Sequence, residues 1–97
     1  MIESFADPGT EDIFNGVNST EARRLLPRAV WKVAFRKLDQ IDSAIQLDDL
    51  RVPPGNRLEA LKGERAGQHS IRINDQYRIC FEWKLNGPNN VEIVDYH

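Results

Sequence analysis

The stretch that most limits how this chain can fold is a predicted β-hairpin in its C-terminal half. Apolar and polar residues alternate through residues 69–73 and again through residues 77–84, which is typical of strands with one buried face. Residues 74–76 lie between them and favour a turn. If Ile73 pairs with Tyr77, the polar side chains share one face of the hairpin; they are Arg72, Arg78, Cys80, Glu82 and Lys84.

The neighbouring segments predict the rest of the fold. Residues 57–62 and 91–97 are expected to add strands, and residues 86–90 to form a turn. Residues 27–44 favour a helix, because apolar residues recur at three- and four-residue steps; they are Trp31, Ala34, Phe35, Leu38, Ile41 and Ile45. Helices followed by consecutive antiparallel strands predict an α+β fold, with N-terminal helices packed on one face of a small, mostly antiparallel β-sheet.

Length and composition narrow the class of protein. A chain of 97 residues is expected to form a single domain over residues 1–97. Its single Cys80 excludes an internal disulfide, and no apolar run is long enough to span a membrane. The start of the chain has no basic leader, so we expect a cytoplasmic protein. The net charge of −2 argues against a non-specific grip on bulk nucleic acid.

Four residues of the C-terminal half are candidates for chemistry. Arg78 could clamp a phosphate from the predicted sheet, or it could form an ion pair with a nearby glutamate, Glu82 or Glu92. Lys62 precedes a glycine and could bind a phosphate or act as a base, or it could be an ordinary surface lysine. His97 could transfer protons, and Tyr96 could stack a base or pack in the core.

These candidates favour one kind of reaction. The two histidines, His69 and His97, have no metal-ligating spacing, and no phosphate-binding glycine loop or nucleophile motif is present. The sequence therefore predicts neither a metal site nor a cofactor. A set of Lys, Arg, Tyr and His suits cleavage of RNA by its own 2′-hydroxyl, since that reaction needs a base, an acid and cations near the phosphate.

Three blocks of the sequence resemble the HigB-type plasmid maintenance killer proteins of the RelE/ParE superfamily of bacterial toxins. The first is Met1-Ile2-Glu3-Ser4-Phe5, the second runs through residues 53–63 and 67–79, and the third is Val91-Glu92-Ile93-Val94-Asp95-Tyr96-His97. The resemblance implies a RelE-like fold and the toxin of a type II toxin-antitoxin system. It implies an mRNA endonuclease that works in the A site of the small ribosomal subunit, without metal, and leaves a 2′,3′-cyclic phosphate.

The resemblance also implies roles for individual residues. Lys62 and Arg78 correspond to phosphate-binding and charge-stabilising residues, Tyr96 to a nucleotide-orienting ring and His97 to a proton-transfer residue. Some relatives place a histidine where this chain has Glu59, which leaves Glu59, Lys62 and His97 open as the general base. The same interpretation predicts three further RNA-binding residues, Arg65, Arg72 and Lys84.

The implied partners are an antitoxin, the ribosome and mRNA. The antitoxin would be a helix-turn-helix protein of HigA type, and operator DNA would be bound only through it. Basic residues on the predicted helices are candidates for contacting ribosomal RNA; they are Arg23, Arg24, Arg28, Arg36 and Lys37. Two alternatives remain at this stage: a ParE-like toxin that poisons DNA gyrase, which would not need His97, and a binding module without catalysis.

Overall fold

The computed structural model describes residues 1–96, and in this part of the chain helices precede a four-stranded antiparallel sheet. The helices are α1 (Pro8–Asn15), α2 (Thr20–Leu25) and α3 (Arg28–Ser43). The strands are β1 (Glu59–Ala60), β2 (His69–Arg72), β3 (Tyr77–Lys84) and β4 (Gly87–Asp95), in the spatial order β1-β2-β3-β4. Short 3-10 turns lie between these elements, at Leu47–Arg51, Pro54–Asn56 and Gly63–Arg65. The predicted α+β architecture is confirmed.

The hairpin of β2 and β3 has the predicted register. Arg72 lies opposite Arg78 and Ile71 opposite Ile79, and the Ile73 amide donates to the Tyr77 carbonyl at 2.9 Å. The apolar face of this hairpin is buried in the core, where it meets side chains from the helices; the shared cluster includes Ile13, Leu26, Ala34, Leu38, Ile41, Ile71, Ile79 and Phe81. The alternation of apolar residues therefore predicted correctly which face of the sheet the helices cover.

The strands on either side of the hairpin differ from the prediction. β1 has only two residues. On its N-terminal side the extended conformation cannot include Arg57, because the backbone of Arg57 is left-handed, with φ of 47°. β4 begins at Gly87, so the predicted turn at residues 86–90 is wrong; the chain instead reverses direction at Leu85 and Asn86. Pro88 is tolerated in β4 because this strand lies at the edge of the sheet, where a missing amide donor costs little.

The N-terminal segment lies beside β4 and covers part of its free edge. Phe5 forms a parallel bridge with Val91, the Ala6 amide donates to the Val91 carbonyl at 2.9 Å, and the Val91 amide donates to the Ser4 carbonyl at 3.1 Å. Pairing of this kind protects an edge strand from pairing with another chain.

Helix α3 buries a narrower stripe than its sequence predicts. Ala34, Leu38 and Ile41 are fully buried, whereas Phe35 is 46% exposed and Ile45 is 90% exposed. Ile45 leaves the stripe because α3 ends at Ser43, so the chain has already turned away at that point. Within residues 1–96, none of the helices is both long enough and apolar enough to cross a membrane.

Candidate active site

The sheet register places three of the predicted site residues in two adjacent rows on the polar face. One row crosses all four strands and contains Glu59, Ser70, Cys80 and Glu92. The next row contains Arg72, Arg78 and Val94. Opposed residues in an antiparallel sheet project from the same face, so the topology alone brings Glu59, Arg72 and Arg78 together from three different strands.

Arg78 lies at the centre of this face and is held by several acceptors. Its Nε donates to the Ser70 Oγ at 2.8 Å, and its Nη2 donates to the Arg57 carbonyl at 2.8 Å. The same Nη2 lies 3.5 Å from the Glu59 Oε1. Only 12% of the Arg78 side chain is exposed, compared with 54% of Glu59. The guanidinium is therefore fixed in a protein framework, and its ionic partner faces solvent.

The partner of Arg78 differs from the two glutamates that the sequence suggested. Glu82 pairs with Lys84, at 3.8 Å, and Glu92 pairs with Arg65, at 3.1 Å. Glu59 takes their place because β1 lies next to β2 in the sheet, which brings the Glu59 carboxylate to the Arg78 fork.

Tyr96 extends the site beyond the end of β4. Its backbone amide donates to the Gln76 carbonyl at 2.7 Å, which ties this part of the chain to the turn between β2 and β3. Its ring centroid lies 5.7 Å from the Arg78 Cζ, a cation–π distance. The ring is 44% exposed, so it offers a face to a ligand as well as to Arg78.

Arg65 reaches the same face from the loop before β2. Its Nη1 donates to the Gln68 Oε1 at 3.0 Å and to the Glu92 Oε1 at 3.1 Å. Partial burial works to lower the pKa of the Arg65 guanidinium, but the hydrogen bond to Glu92 and nearby negative charge outweigh it and raise that pKa. Arg65 therefore remains a permanent cation beside the cluster.

The polar face is less open at its centre than the sequence suggested. Ser70 and Cys80, which belong to that face, are fully buried. Burial raises the pKa of the Cys80 thiol, and the positive charges of Arg65 and Arg78 only partly oppose this effect. A buried thiol with a raised pKa is a poor nucleophile, so the reactive part of the face consists of the charged side chains around it.

Three predicted residues take different positions around this cluster. Arg72 adjoins Arg78 but forms an ion pair with Asp75. The Lys62 side chain is exposed and makes no ion pair or hydrogen bond with the described residues. Lys84 is six residues from Arg78 along β3, which at about 3.3 Å per residue is roughly 20 Å away. The structure therefore does not bring Lys84 to Arg78. His97, the predicted proton-transfer residue, lies outside the described residues.

The site is an open surface. The structure also contains a cleft of about 380 Å³ between α1, α2 and β4, and its lining includes none of the predicted site residues; it is formed by Asp7, Pro8, Gly9, Glu21, Arg24, Leu25, Glu92 and Ile93. Among residues 1–96, no group of three or more His, Cys, Asp or Glu side chains could hold a metal ion. An exposed face that carries cations, carboxylates and an aromatic ring suits a polymeric phosphodiester.

A second group of cations continues from the site towards α3. Burial, and then the positive charges of Arg36 and Arg72, lower the pKa of the Lys37 ammonium. The Lys37 Nζ donates to the side chain of the fully buried Asn56. Lys37 therefore lies close enough to Arg36 and to Arg72 to be affected by their charges, and such a group attracts a polyanion.

Two contributors to the site could not be recognised from the sequence. Ser70 carries no motif, and a serine in a strand does not by itself indicate that it binds an arginine. The Arg57 carbonyl is a backbone group, so no side-chain pattern encodes its contact with Arg78. Register is the signal that could have found Ser70, because it lies opposite Cys80 and diagonal to Arg78.

Comparisons with known proteins bear on the family of this chain. Over residues 3–97 the chain matches a family described as the RelE-like toxin of type II toxin-antitoxin system HigB. It is 41% identical over 83 residues to Toxin HigB-1 of Vibrio cholerae, with 86% of this chain and 84% of that protein covered. It is also 41% identical over 66 residues to an uncharacterized protein of Haemophilus influenzae, with 68% of this chain and 65% of that protein covered.

A similarity to a solved structure extends the comparison to the fold. The chain superposes on a chain of the YoeB-YefM complex from Staphylococcus aureus with a TM-score of 0.61, covering 100% of this chain and 98% of that one. The sequence identity is 18%, so this similarity concerns the fold alone.

Proposed function

This chain belongs to the HigB family of RelE-like toxins of type II toxin-antitoxin systems, and we propose that it inhibits growth by cleaving mRNA on the ribosome. Ribosome-dependent cleavage of mRNA is the known activity of this family. The observation that carries the proposal for this chain is the cluster at Arg78, where a fixed guanidinium lies between the Glu59 carboxylate and the Tyr96 ring.

We propose that the cluster, together with His97, supplies the groups that self-cleavage of RNA requires. A base removes the proton of the 2′-hydroxyl, the 2′-oxygen bonds to phosphorus, and the bond from phosphorus to the 5′-oxygen breaks as an acid protonates that oxygen. Arg78 stabilises the charge that develops on the phosphate oxygens. The Tyr96 ring, partly exposed beside it, orients a nucleotide by stacking.

We assign the base to Glu59 and the acid to His97. Of the three residues that the sequence left open as the base, Glu59 is the one with a described contact to Arg78. A carboxylate within hydrogen-bond reach of the 2′-hydroxyl can accept its proton. Lys62 then binds phosphate, because its ammonium is exposed and has no partner among the described residues. Arg65 and Arg72 contribute further positive charge on the face that carries Arg78.

The charge of the chain supports dependence on the ribosome. A nuclease that captures free RNA needs a broad basic field, whereas this chain carries a net charge of −2. The ribosome can present mRNA already positioned in the A site. Lys37, which interacts with both Arg36 and Arg72, connects the site to a group of cations that could contact ribosomal RNA.

A type II toxin is held inactive by a protein antitoxin, and we propose a helix-turn-helix antitoxin of HigA type as the partner of this chain. The antitoxin then carries the operator-binding surface of the complex. The toxin chain has no need of its own DNA-binding element in this arrangement, which agrees with its slightly acidic net charge.

The first test compares induced expression of the parent chain with Arg78→Ala and His97→Ala. We expect both variants to relieve growth arrest, since loss of a charge-stabilising group or a proton-transfer group costs about 10²- to 10³-fold in rate. Toeprinting on translating ribosomes should show cuts in the A site with the parent chain. Arg51→Ala is the matched control, because Arg51 is an exposed arginine whose side chain pairs only with nearby Asp48 among the described residues.

Two results would decide against the nuclease. Arrest by both variants at the strength of the parent would remove the catalytic role of these residues. DNA damage with intact mRNA would instead identify a ParE-like toxin that acts on gyrase. Antitoxin binding should remain within about threefold of the parent in each variant, which checks that the variant is folded.

A further inference from the structure

A buried serine binds the central arginine of the site. Ser70 has a relative exposure of 0%, and its hydroxyl accepts the hydrogen bond of the Arg78 Nε at 2.8 Å. We propose that Ser70 is a positioning residue for RNA cleavage, which sets the plane of the Arg78 guanidinium so that its Nη1 meets the scissile phosphate. This role rests on the proposed function.

Two bonds from different parts of the chain determine the orientation of Arg78. Ser70, in β2, holds the Nε, and the Arg57 carbonyl, in the loop before β1, holds the Nη2 at 2.8 Å. A guanidinium is planar and carries its five N–H donors in a rigid fork. Fixing two of its nitrogens therefore fixes the whole plane.

The bonds also determine which donors remain for substrate. The Nη1 of Arg78 has no hydrogen-bond acceptor among the described residues. The Nη2 donates to the Arg57 carbonyl and, at 3.4 Å, to the Ser70 carbonyl, and the Glu59 Oε1 lies 3.5 Å from it. The Nη1 is thus the nitrogen whose donors are available for a phosphate oxygen. It belongs to the same guanidinium that Glu59, the proposed base, contacts.

Preorganisation explains why this bond should matter for rate. Donors that already point at the developing charge need no reorganisation during the reaction. A free arginine side chain samples many rotamers, and ordering it in the transition state would raise the barrier. Ser70 removes that cost because its own hydroxyl is held in a strand in the centre of the sheet.

A purely structural role for Ser70 makes different predictions. In that case the bond would only satisfy a buried hydroxyl, and its loss would lower stability without acting through Arg78. The two roles can be separated by measuring cleavage rate, ribosome binding and thermal stability for the same variants. A side-chain substitution cannot remove the contact of Arg78 with the Arg57 carbonyl, because that carbonyl belongs to the backbone. The contact with the Ser70 hydroxyl can be removed, so Ser70 is the residue to substitute.

The experiment measures single-turnover cleavage of mRNA on purified ribosomes by the parent, Ser70→Ala and Ser70→Thr. We expect Ser70→Ala to cleave about 10-fold more slowly, which corresponds to the loss of one hydrogen bond to a charged group. Ribosome binding should stay within about twofold, because Ser70 is buried and touches no ligand. Ser70→Thr keeps the hydroxyl and should recover the rate to within about threefold.

A double variant tests whether Ser70 acts through Arg78. Arg78→Lys keeps a positive charge but lacks the planar fork, so adding Ser70→Ala to it should change the rate by less than about twofold. Equal losses in both backgrounds, together with a lower Tm, would overturn the positioning role. If the cleavage rate of Arg78→Lys alone is too low to measure, the Ser70→Thr variant decides instead. Recovery of the parental rate by Ser70→Thr supports the positioning role, and no recovery overturns it.

The outcomes also distinguish this inference from the function on which it rests. If the parent chain leaves ribosome-bound mRNA intact, the proposed function fails and the positioning role fails with it. If the parent cleaves and Ser70→Ala cleaves at the same rate, only the positioning role is overturned.

Discussion

At the scale of single residues, the site combines buried groups that hold Arg78 with exposed groups that face solvent. Ser70 and Cys80 are fully buried beneath this face, whereas Glu59 is largely exposed. This division matters because buried neighbours keep the Arg78 guanidinium in place, whereas the Glu59 carboxylate stays accessible to solvent and substrate. Cys80 belongs to the buried group, and its burial raises the pKa of its thiol.

The raised pKa of the Cys80 thiol predicts how stability depends on pH. Below the ordinary thiol value of 9.0, the thiol is protonated in both the folded and the unfolded chain. As the pH rises above that value, the unfolded chain loses the proton first, so the free energy of unfolding falls. Urea titrations from about pH 7 to about pH 10.5 should show a steeper alkaline loss for the parent than for Cys80→Ala.

The same pair of proteins checks that Cys80 is not a nucleophile. Cys80→Ala should cleave mRNA within about threefold of the parent rate, since a buried thiol takes no part in the proposed reaction. A parallel alkaline loss in the two proteins, or an inactive Cys80→Ala that is still folded, would contradict this assignment.

At the scale of secondary-structure elements, α1 shows how one side chain joins a helix to the sheet. Asp7 caps the helix, with its carboxylate accepting from the Thr10 amide at 2.7 Å and from the Thr10 hydroxyl at 3.0 Å. The same hydroxyl oxygen accepts from the Ile93 amide in β4 at 3.0 Å. The capping position belongs to Asp7, and Thr10 lies inside the first turn of the helix. Thr10 is left free to reach the sheet.

We therefore expect Thr10→Val to destabilise the protein by about 1 to 3 kcal/mol, because valine keeps the shape but leaves the buried Ile93 amide without an acceptor. Thr20→Val is the matched control. Thr20 lies exposed at the start of α2 and should cost less than about 0.5 kcal/mol. Chemical denaturation measures both values, and equal losses would show that the contact with β4 contributes nothing.

At the scale of the whole molecule, one buried side chain connects the helical part to the candidate site. Asn56 has a relative exposure of 0%. It accepts from the Lys37 Nζ of α3, and it donates to the Gln40 Oε1 at 3.0 Å and to the Leu50 carbonyl at 3.2 Å. The next residue is Arg57, whose carbonyl holds Arg78. The packing of α3 is thus transmitted to the guanidinium through one loop.

Asn56→Ala should therefore affect both stability and activity. We expect the free energy of unfolding to fall by about 2 to 3 kcal/mol, since several buried polar groups lose their partner. Cleavage should also slow at a temperature where the variant is folded, because the Arg57 carbonyl is no longer held in place. Asn86→Ala, at an exposed turn, serves as the control. A folded Asn56→Ala with parental activity would show that the loop positions Arg78 without Asn56.

The sequence by itself determined those features that follow from local pattern. The alternation of apolar residues through the hairpin predicted its register, its buried face and the α+β architecture. A one-residue shift from the pairing of Ile73 with Tyr77 would turn the apolar side chains of one strand to the other face of the sheet. The candidate residues Arg78 and Tyr96 were also identified from the sequence and from its resemblance to a family. Their roles in cleavage remain predictions.

Only the tertiary structure decided which groups meet. The partners of Arg78 come from positions 57, 59, 70 and 96, and no local pattern relates residues that are so far apart in the chain. The neighbouring strand β1 brings Glu59 to Arg78, and a left-handed backbone at Arg57 aims a carbonyl at the same fork. Such contacts depend on strand order and loop conformation, which are set by packing of the whole chain.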